Sequence, residues 1–277
     1  MQQYNDLCLE LSTIVTHRYS TSFTRGIKTL NKRFHKPIYA VYGYVRLADE
    51  IVDSFHDFNK KELLEEFKKN TWEAIDNKIS TNPILHAFQL IVNEYQIDRE
   101  LIVSFLYSME LDLEKKSYDE AFYEKYIYGS AEVVGLMCLR IFCEGNNELY
   151  NKLIEPAQRL GAAFQKVNFL RDLKADFKEL GRVYFPGIDF KTFDNAVKKQ
   201  IEKDIDADFK AAYPGLMQLP KDVRPGVYTA FIYYRELLSK IEKVPASEVM
   251  NTRIRVPDAE KMVLLLRTYT KFGFSIF

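Results

Sequence analysis

The stretch Arg46-Leu47-Ala48-Asp49-Glu50-Ile51-Val52-Asp53 sets two aspartates four residues apart, and Asn168-Phe169-Leu170-Arg171-Asp172-Leu173-Lys174-Ala175-Asp176 does the same further along the chain. On a helix, each pair projects from one face about one turn apart. Like charges at that spacing repel, and a cation between them removes the penalty. Aspartate oxygens suit Mg²⁺, which takes one or two protein carboxylates and completes its shell with water and substrate phosphate. Two such pairs facing each other would hold a diphosphate. Taken singly, each pair also fits a solvated helix face, where Arg46 could neutralise Asp49 or Glu50 and Arg171 an adjacent acid.

The neighbours of the pairs strengthen the reading. Tyr42, Arg46, Asp49 and Asp53 form one stripe beside an apolar stripe of Ile38, Val41, Val45, Ala48, Val52 and Phe55. Gln165, Asn168, Asp172 and Asp176 form a second, beside Leu160, Ala163, Phe164, Val167 and Leu170. A polar row at the edge of a buried face is costly unless it is paired, solvated in a cavity or bound to metal.

The rest of the chain reads as helix. Spacing predicts helices over 36–56, 60–79, 83–95, 98–115, 119–143, 147–178, 191–212, 222–242 and 258–272, which makes an all-α protein of nine or ten helices. Asn82-Pro83 and Glu155-Pro156 fit helix starts or a kink, and Gly181 to Phe190 and Tyr213 to Gly226 read as loops. Of 277 residues, 47% are hydrophobic and 28% charged, with 39 basic and 39 acidic side chains, so no bulk field favours nucleic acid. Cys8, Cys138 and Cys143 lack the spacing of a zinc site or a disulfide framework. No signal peptide is expected at Met1-Gln2-Gln3-Tyr4, and no apolar run approaches the ~18–20 residues that span a bilayer. A cytoplasmic protein is expected. His17, His35, His56 and His86 form no metal spacing; His17, near the first serines, is either a phosphate contact or a surface residue. Trp72 is expected to pack against a neighbour in a charged helix.

Both acidic stretches resemble the two aspartate-rich motifs of the squalene/phytoene synthase family. Gly181-Arg182-Val183-Tyr184-Phe185-Pro186 is similar to the family's Gly-Arg-x-Tyr-x-Pro segment. Ser20-Thr21-Ser22-Phe23 resembles its Ser-x-Ser-Phe, Tyr128-Gly129-Ser130-Ala131 its Tyr-x-x-Ala, and Tyr233 a late helix tyrosine. These segments fall in the family's order from about residue 17 to 240. One departure is Glu132, where the family often has glycine; it is expected to face solvent.

The resemblance implies a single-domain, isoprenoid-synthase-type helical bundle over residues 1–277, built around a central cavity. It implies head-to-head coupling of two identical isoprenoid diphosphates through a cyclopropylcarbinyl diphosphate, most like a bacterial phytoene synthase acting on two C20 units in carotenoid biosynthesis. Relatives join C15 units to squalene, dehydrosqualene or hydroxysqualene. Asp49, Asp53, Asp172 and Asp176, with Asn168, are the expected ligands of Mg²⁺, for which Mn²⁺ can substitute. Tyr128 and Arg182 join the aspartates as catalytic candidates. Ser20, Ser22, Phe23, Tyr42, Arg46, Gln165, Asn168, Arg171 and Tyr233 are the expected substrate contacts. Phe164 is a further pocket candidate, and the small residues Ala131, Gly135 and Gly161 are expected near the tunnel that sets chain length. No NADPH is expected. The ending Lys271-Phe272-Gly273-Phe274-Ser275-Ile276-Phe277 is too short to span a bilayer but suited to peripheral contact with a membrane that receives a lipid product. Rival readings are a non-catalytic scaffold of the same fold, and a head-to-tail prenyltransferase or terpene cyclase.

Overall fold

A computed structural model describes residues 1–113, 119–175, 184–186 and 193–273. Among these residues the regular structure is entirely helical: α1 (Gln2–Tyr19), α2 (Thr21–Lys28), α3 (His35–Asp53), α4 (Lys60–Asn77), α5 (Pro83–Tyr95), α6 (Arg99–Leu113), α7 (Glu120–Ile127), α8 (Val133–Cys143), α9 (Asn147–Ala175), α10 (Asn195–Leu216), α11 (Arg224–Glu242), α12 (Ala246–Val249) and α13 (Asp258–Phe272), with a short 3₁₀ turn at Lys32–Phe34. Helix starts follow the cap residues. Asn82 accepts the Ile84 and Leu85 N–H groups at 3.0 and 3.3 Å, with Pro83 in the first turn. Asp194 accepts from Ala196 and Val197, both at 2.9 Å.

Two apolar clusters fill the interior. The first is gathered from α1 to α6 and α8 with the start of α9, and the second from α7 and α9 to α13. Tyr44 anchors the first: its ring lies flat on Phe88, centroids 3.7 Å apart, with Phe67 on another side at 5.2 Å. In the second, Phe164 stacks on Tyr234 at 4.1 Å. The long helix α9 belongs to both, so it runs between them and carries the second acidic stretch into the middle of the molecule.

Three expectations change. Helices α1 and α2 were not predicted. The buried stripe of α1 is Cys8, Ser12 and Thr16, small and mostly polar, so an apolar count does not detect it. Those small side chains let α3 approach: a Cβ on Gly43 would stand 3.2 Å from Ser12. Second, α10 runs past the predicted loop start at Tyr213, through Pro214 to Leu216. Gly215 faces Pro156 of α9 so closely that a Cβ there would collide with the proline ring. Third, Glu120–Cys143 is one continuous helical run interrupted by a π turn over Tyr128–Glu132. That run is long and apolar enough to cross a membrane, an 18-residue stretch of it having a mean hydropathy of 1.4, contrary to the reading above; 56% of that stretch is buried in the bundle, which accounts for its composition. Pro156 lies inside α9, within the helix predicted over 147–178.

The π turn is pressed between two helices. A Cβ on Gly129 would lie 2.5 Å from the Ser104 carbonyl oxygen of α6. On the other side, a Cβ on Gly161 of α9 would lie 2.9 Å from the Ala131 carbonyl oxygen. The remaining contacts are ordinary: Trp72 packs under the Arg99 guanidinium at 4.8 Å, and all three cysteines are free thiols. Gly129→Val is expected to force α6 and the π turn apart and to destabilise the fold by about 1–3 kcal/mol, as overpacked substitutions do. Chemical denaturation measures this, and an unchanged midpoint would contradict the close approach.

Candidate functional site

A cavity of about 540 Å³ lies between the two clusters, walled by α2, α3, α6, α7 to α11 and α13. Helix α3 contributes Tyr42, Asp49 and Asp53 to it, and α9 contributes Gln165, Asn168, Arg171 and Asp172. The two stripes inferred from spacing therefore meet in one space. Away from the acids the wall is apolar, with Val41, Val45, Leu139, Phe142, Leu160 and Leu216 among its residues. Ser22, Phe23, Phe164 and Tyr233 also line the cavity, as do Ala131, Gly135 and Gly161.

The acidic end is electrostatically strained. Burial pushes the Asp49 carboxyl up to about 8, and the nearby Asp53 and Asp112 carboxylates add to the shift while Arg46 opposes it. Asp112, on α6, was missed by sequence reasoning. It is buried, lines the cavity and accepts the Tyr126 hydroxyl at 2.8 Å. A signal was present: Leu101, Phe105, Ser108 and Asp112 step by four, three and four, which puts a lone carboxylate on the apolar face of α6.

The π turn also relocates a predicted tyrosine. Tyr128 does not line the cavity and packs instead against the first apolar cluster. Tyr126 takes the cavity position, along with Ser130 and Ala131. A π turn closes i→i+5 bonds in place of i→i+4, so it shifts the face that each flanking residue presents, and the spacing of the motif does not show this.

On α9 a neutral chain leads to the second acidic stretch. Gln165 Nε2 donates to Ser130 Oγ at 3.4 Å, and Asn168 Nδ2 donates to Gln165 Oε1 at 3.5 Å. The carbonyl oxygen Oδ1 of Asn168 is buried without a hydrogen-bond partner. Asp172 is held between two guanidinium groups. Arg171 Nε donates to Oδ1 at 3.1 Å and its Nη2 to Oδ2 at 2.5 Å, while Arg253 Nε reaches Oδ1 at 2.7 Å. Arg253 was missed by sequence reasoning; it stands in the irregular segment after α12, where no periodicity marks it. Lys261 of α13 was also missed. It lines the cavity 5.6 Å from the Tyr233 ring centroid.

Other predicted contacts take different places. Arg46 does not line the cavity; it is ion-paired with Glu50 and lies 4.3 Å over the Tyr19 ring. Ser20 caps α2, its Oγ accepting the Phe23 N–H at 3.1 Å, while Ser22 is the serine on the cavity wall. His17 Nε2 stands 3.3 Å from the Tyr39 hydroxyl and is not a cavity residue. Tyr184 lines the cavity and stacks on Phe169 at 4.1 Å. Asp176 and Arg182 lie outside the described residues. Glu132 is not turned to solvent. It is partly buried against Arg159, Lys166, Asp208 and Gln158, and burial, with Asp208, pushes its carboxyl up to about 7. Lys166 Nζ donates to Asp208 at 2.7 Å in the same cluster.

Among the described residues, no three acidic, histidine or cysteine side chains converge enough to cage a metal unaided. The donor set instead suits a cation shared with phosphate: hard carboxylate oxygens, an unsatisfied amide oxygen on Asn168, and mutual repulsion that a cation relieves.

A helical bundle of this kind, with acids from two helices facing one apolar cavity, has the isoprenoid-synthase fold. Residues 16–260 match the sequence profile of the squalene/phytoene synthase family, and the chain belongs to that family. It is 27% identical to a phytoene synthase of Arthrospira platensis, over 92% of this chain and 90% of that one. It is also 27% identical to a 4,4'-diapophytoene synthase of Staphylococcus haemolyticus (strain JCSC1435), over 67% of this chain and 65% of that one. Among solved structures, a dehydrosqualene synthase in complex with ligand superposes with a TM-score of 0.84 at 22% identity, covering 98% of both chains. Family membership makes this protein a prenyltransferase-type enzyme, similar to the phytoene synthases of bacteria.

Because the Glu132 carboxyl is raised in the folded state, its contribution to stability is full below its ordinary value of 4.5 and is lost as pH rises through about 7. Glu132→Gln is expected to flatten the stability profile across that window and to leave the variant more stable than the parent at pH 8. Thermal unfolding at pH 5 and pH 8 checks this; parallel profiles for the two proteins would contradict the assignment.

Proposed function

We propose that the enzyme joins two geranylgeranyl diphosphates head to head, giving phytoene through a cyclopropylcarbinyl (prephytoene) diphosphate, in carotenoid biosynthesis. The observation that carries this reading is the meeting of both aspartate stripes at one end of a cavity that is otherwise apolar and aromatic. Mg²⁺ held by Asp49, Asp53, Asn168 and Asp172, with Asp176 of the same motif, would supply Lewis-acid stabilisation of the departing diphosphate.

The chain's own groups provide the rest. Arg171 and Arg253 already form charge-assisted bonds to Asp172, and the same guanidinium forks suit phosphate oxygens. Lys261, Ser22 and Arg25, on the cavity wall, add donors for the same groups. In the first half-reaction the C1–O bond of one substrate breaks and the electron pair leaves with diphosphate. The alkene of the second substrate attacks C1, and loss of a proton closes the cyclopropane. In the second, the remaining C–O bond breaks, the carbon skeleton rearranges, and a second proton is lost to give the central triene. Two substrates thus yield one hydrocarbon, two diphosphates and two protons, with no reductant.

Water would capture either cation, and the apolar wall excludes it. The faces of Phe164, Tyr233 and Tyr234 offer favourable electrostatics to a cation in that space. Tyr126, a cavity residue whose hydroxyl is bonded to Asp112, takes in this reading the catalytic and diphosphate-contact role that the resemblance implied for Tyr128. Ala131, Gly135 and Gly161 keep the wall they line free of bulky side chains, which favours the longer C20 chain. The name of the Staphylococcus relative favours the C15 reading as the second choice. A cytoplasmic enzyme that meets a membrane at its surface completes the proposal.

Asp53→Asn and Asp172→Asn are each expected to cut kcat/KM at least about a hundredfold in folded protein, the scale of a lost electrostatic stabiliser. Near-normal turnover in both would refute the assignment. Tyr126→Phe is expected to lower kcat by about tenfold or more, with Tyr128→Phe close to the parent; the opposite ranking would restore Tyr128. The chain-length reading is tested by mass spectrometry of organic-soluble products and by relative kcat/KM. A C40 triene from the C20 substrate without NADPH is expected, and a preference for farnesyl diphosphate would move the enzyme to the C15 branch. No product from either substrate would favour a scaffold.

A further inference from the structure

Helix α13 has two faces with different tasks. Lys261, Leu264 and Leu265 on its inner side are part of the cavity wall. Its outer side carries Ala259, Met262, Val263, Leu266 and Thr270, which share one helical stripe. Met262, Val263 and Leu266 are 48%, 49% and 51% exposed, three large apolar side chains in two turns. The described chain leaves about half of each uncovered.

The charge around this stripe is one-sided. The acids of the first turn are neutralised: Asp258 pairs with Arg25 and Lys261, both at 3.3 Å, and Glu260 with Lys240 at 2.7 Å. At the other end, Arg267 has no carboxylate partner among the described residues, and it flanks Leu266 on the exposed side. Lys271 contacts only aromatic groups there, with its Nζ 2.9 Å from the Tyr213 hydroxyl and 4.2 Å over the Tyr228 ring. An apolar stripe edged by uncompensated cations fits the interface of an anionic bilayer, where apolar side chains enter the acyl boundary and cations meet the headgroups.

We propose that the outer face of α13 docks the enzyme on an anionic lipid surface, so that one helix separates the cavity from the bilayer. The proposal rests on the hydrocarbon product inferred above, which has no favourable destination in water. A helix whose inner face touches that product and whose outer face touches lipid gives it a short dry route. The sequence-based candidate for membrane contact was the ending Lys271–Phe277; this surface lies upstream of it and shares only Lys271.

The test uses the purified full chain with phosphatidylcholine vesicles, with and without phosphatidylglycerol, separated by flotation. The parent protein is expected to partition onto the anionic vesicles at least about tenfold more than onto the neutral ones, and high salt should reduce the difference. A Met262→Ser, Val263→Ser, Leu266→Ser triple variant is expected to lose at least about tenfold of that partitioning. It should keep the parent's melting temperature and its rate of product formation in detergent. An Arg267→Glu variant is expected to lose the anionic preference, and it keeps the test alive should the triple variant fold poorly. Absence of vesicle binding by the parent overturns the proposal, as does unchanged binding in both variants. A concentration-dependent dimer that the triple variant dissociates also overturns it, because a second copy would then cover the face. Product formation is assayed separately in detergent: binding lost in the variants with no turnover on any diphosphate supports the surface and overturns the reaction.

Discussion

A buried carboxyl, Asp49, set on one cavity with the carboxylates of Asp53 and Asp112, is the constraint around which the rest of this protein is organised. Asp49, Asp53 and Asp112 come from α3 and α6, and burial alone already disfavours the charge on Asp49. Such a cluster costs free energy in any folded chain, and the surrounding structure meets the cost. The stacked Tyr44, Phe67 and Phe88 rings fasten α3 to α4 and α5, while the Tyr126 hydroxyl satisfies one oxygen of Asp112. Across the cavity, Asp172 is compensated by two arginines. A polyanionic ligand accompanied by cations converts this repulsion into binding, so the energetic burden of the site and its affinity have a common source.

The position of α9 explains how two sets of acids from distant parts of the chain become one site. It packs into both apolar clusters, and its contacts with α10 and the π turn are made at backbone distance through Gly215 and Gly161. The buried Lys166, bonded to Asp208 of α10, fixes the helix about its own axis on the side away from the cavity. Gln165, Asn168 and Asp172 are therefore held in orientation from two sides of α9, by the close approaches at Gly161 and Gly215 on the cavity wall and by Lys166 away from it.

Much of this was legible in the chain, and the exceptions have physical causes. The two Asp-x-x-x-Asp stretches and the stripes beside them placed Asp49, Asp53, Asn168 and Asp172 correctly on one cavity, because helical periodicity governs which side chains share a face. Periodicity detects apolar contrast, so α1, whose buried stripe is Cys8, Ser12 and Thr16, escaped it. Asp112 was visible only as a polar interruption of an apolar stripe. Arg253 belongs to an irregular segment whose approach to Asp172 depends on the tertiary fold. Arg46 and Ser20 are in the expected region but are used locally, one on Glu50 and Tyr19, the other as a helix cap. Glu132, expected to face solvent, is partly buried, with Arg159 and Lys166 of α9 and Asp208 of α10 beside it.

The π turn at Tyr128–Glu132 acts as a phase shifter. Successive residues of an α-helix advance by about 100° around its axis, so losing one residue from the turn would let ordinary helical bonding resume while turning everything beyond it by that angle. Val134, Gly135 and Cys138, now on the cavity wall, would be rotated off it, and another face of α8 would swing in. The irregularity thus keeps two half-helices in angular register with the same space, and the cavity's shape depends on a residue count as much as on residue identity.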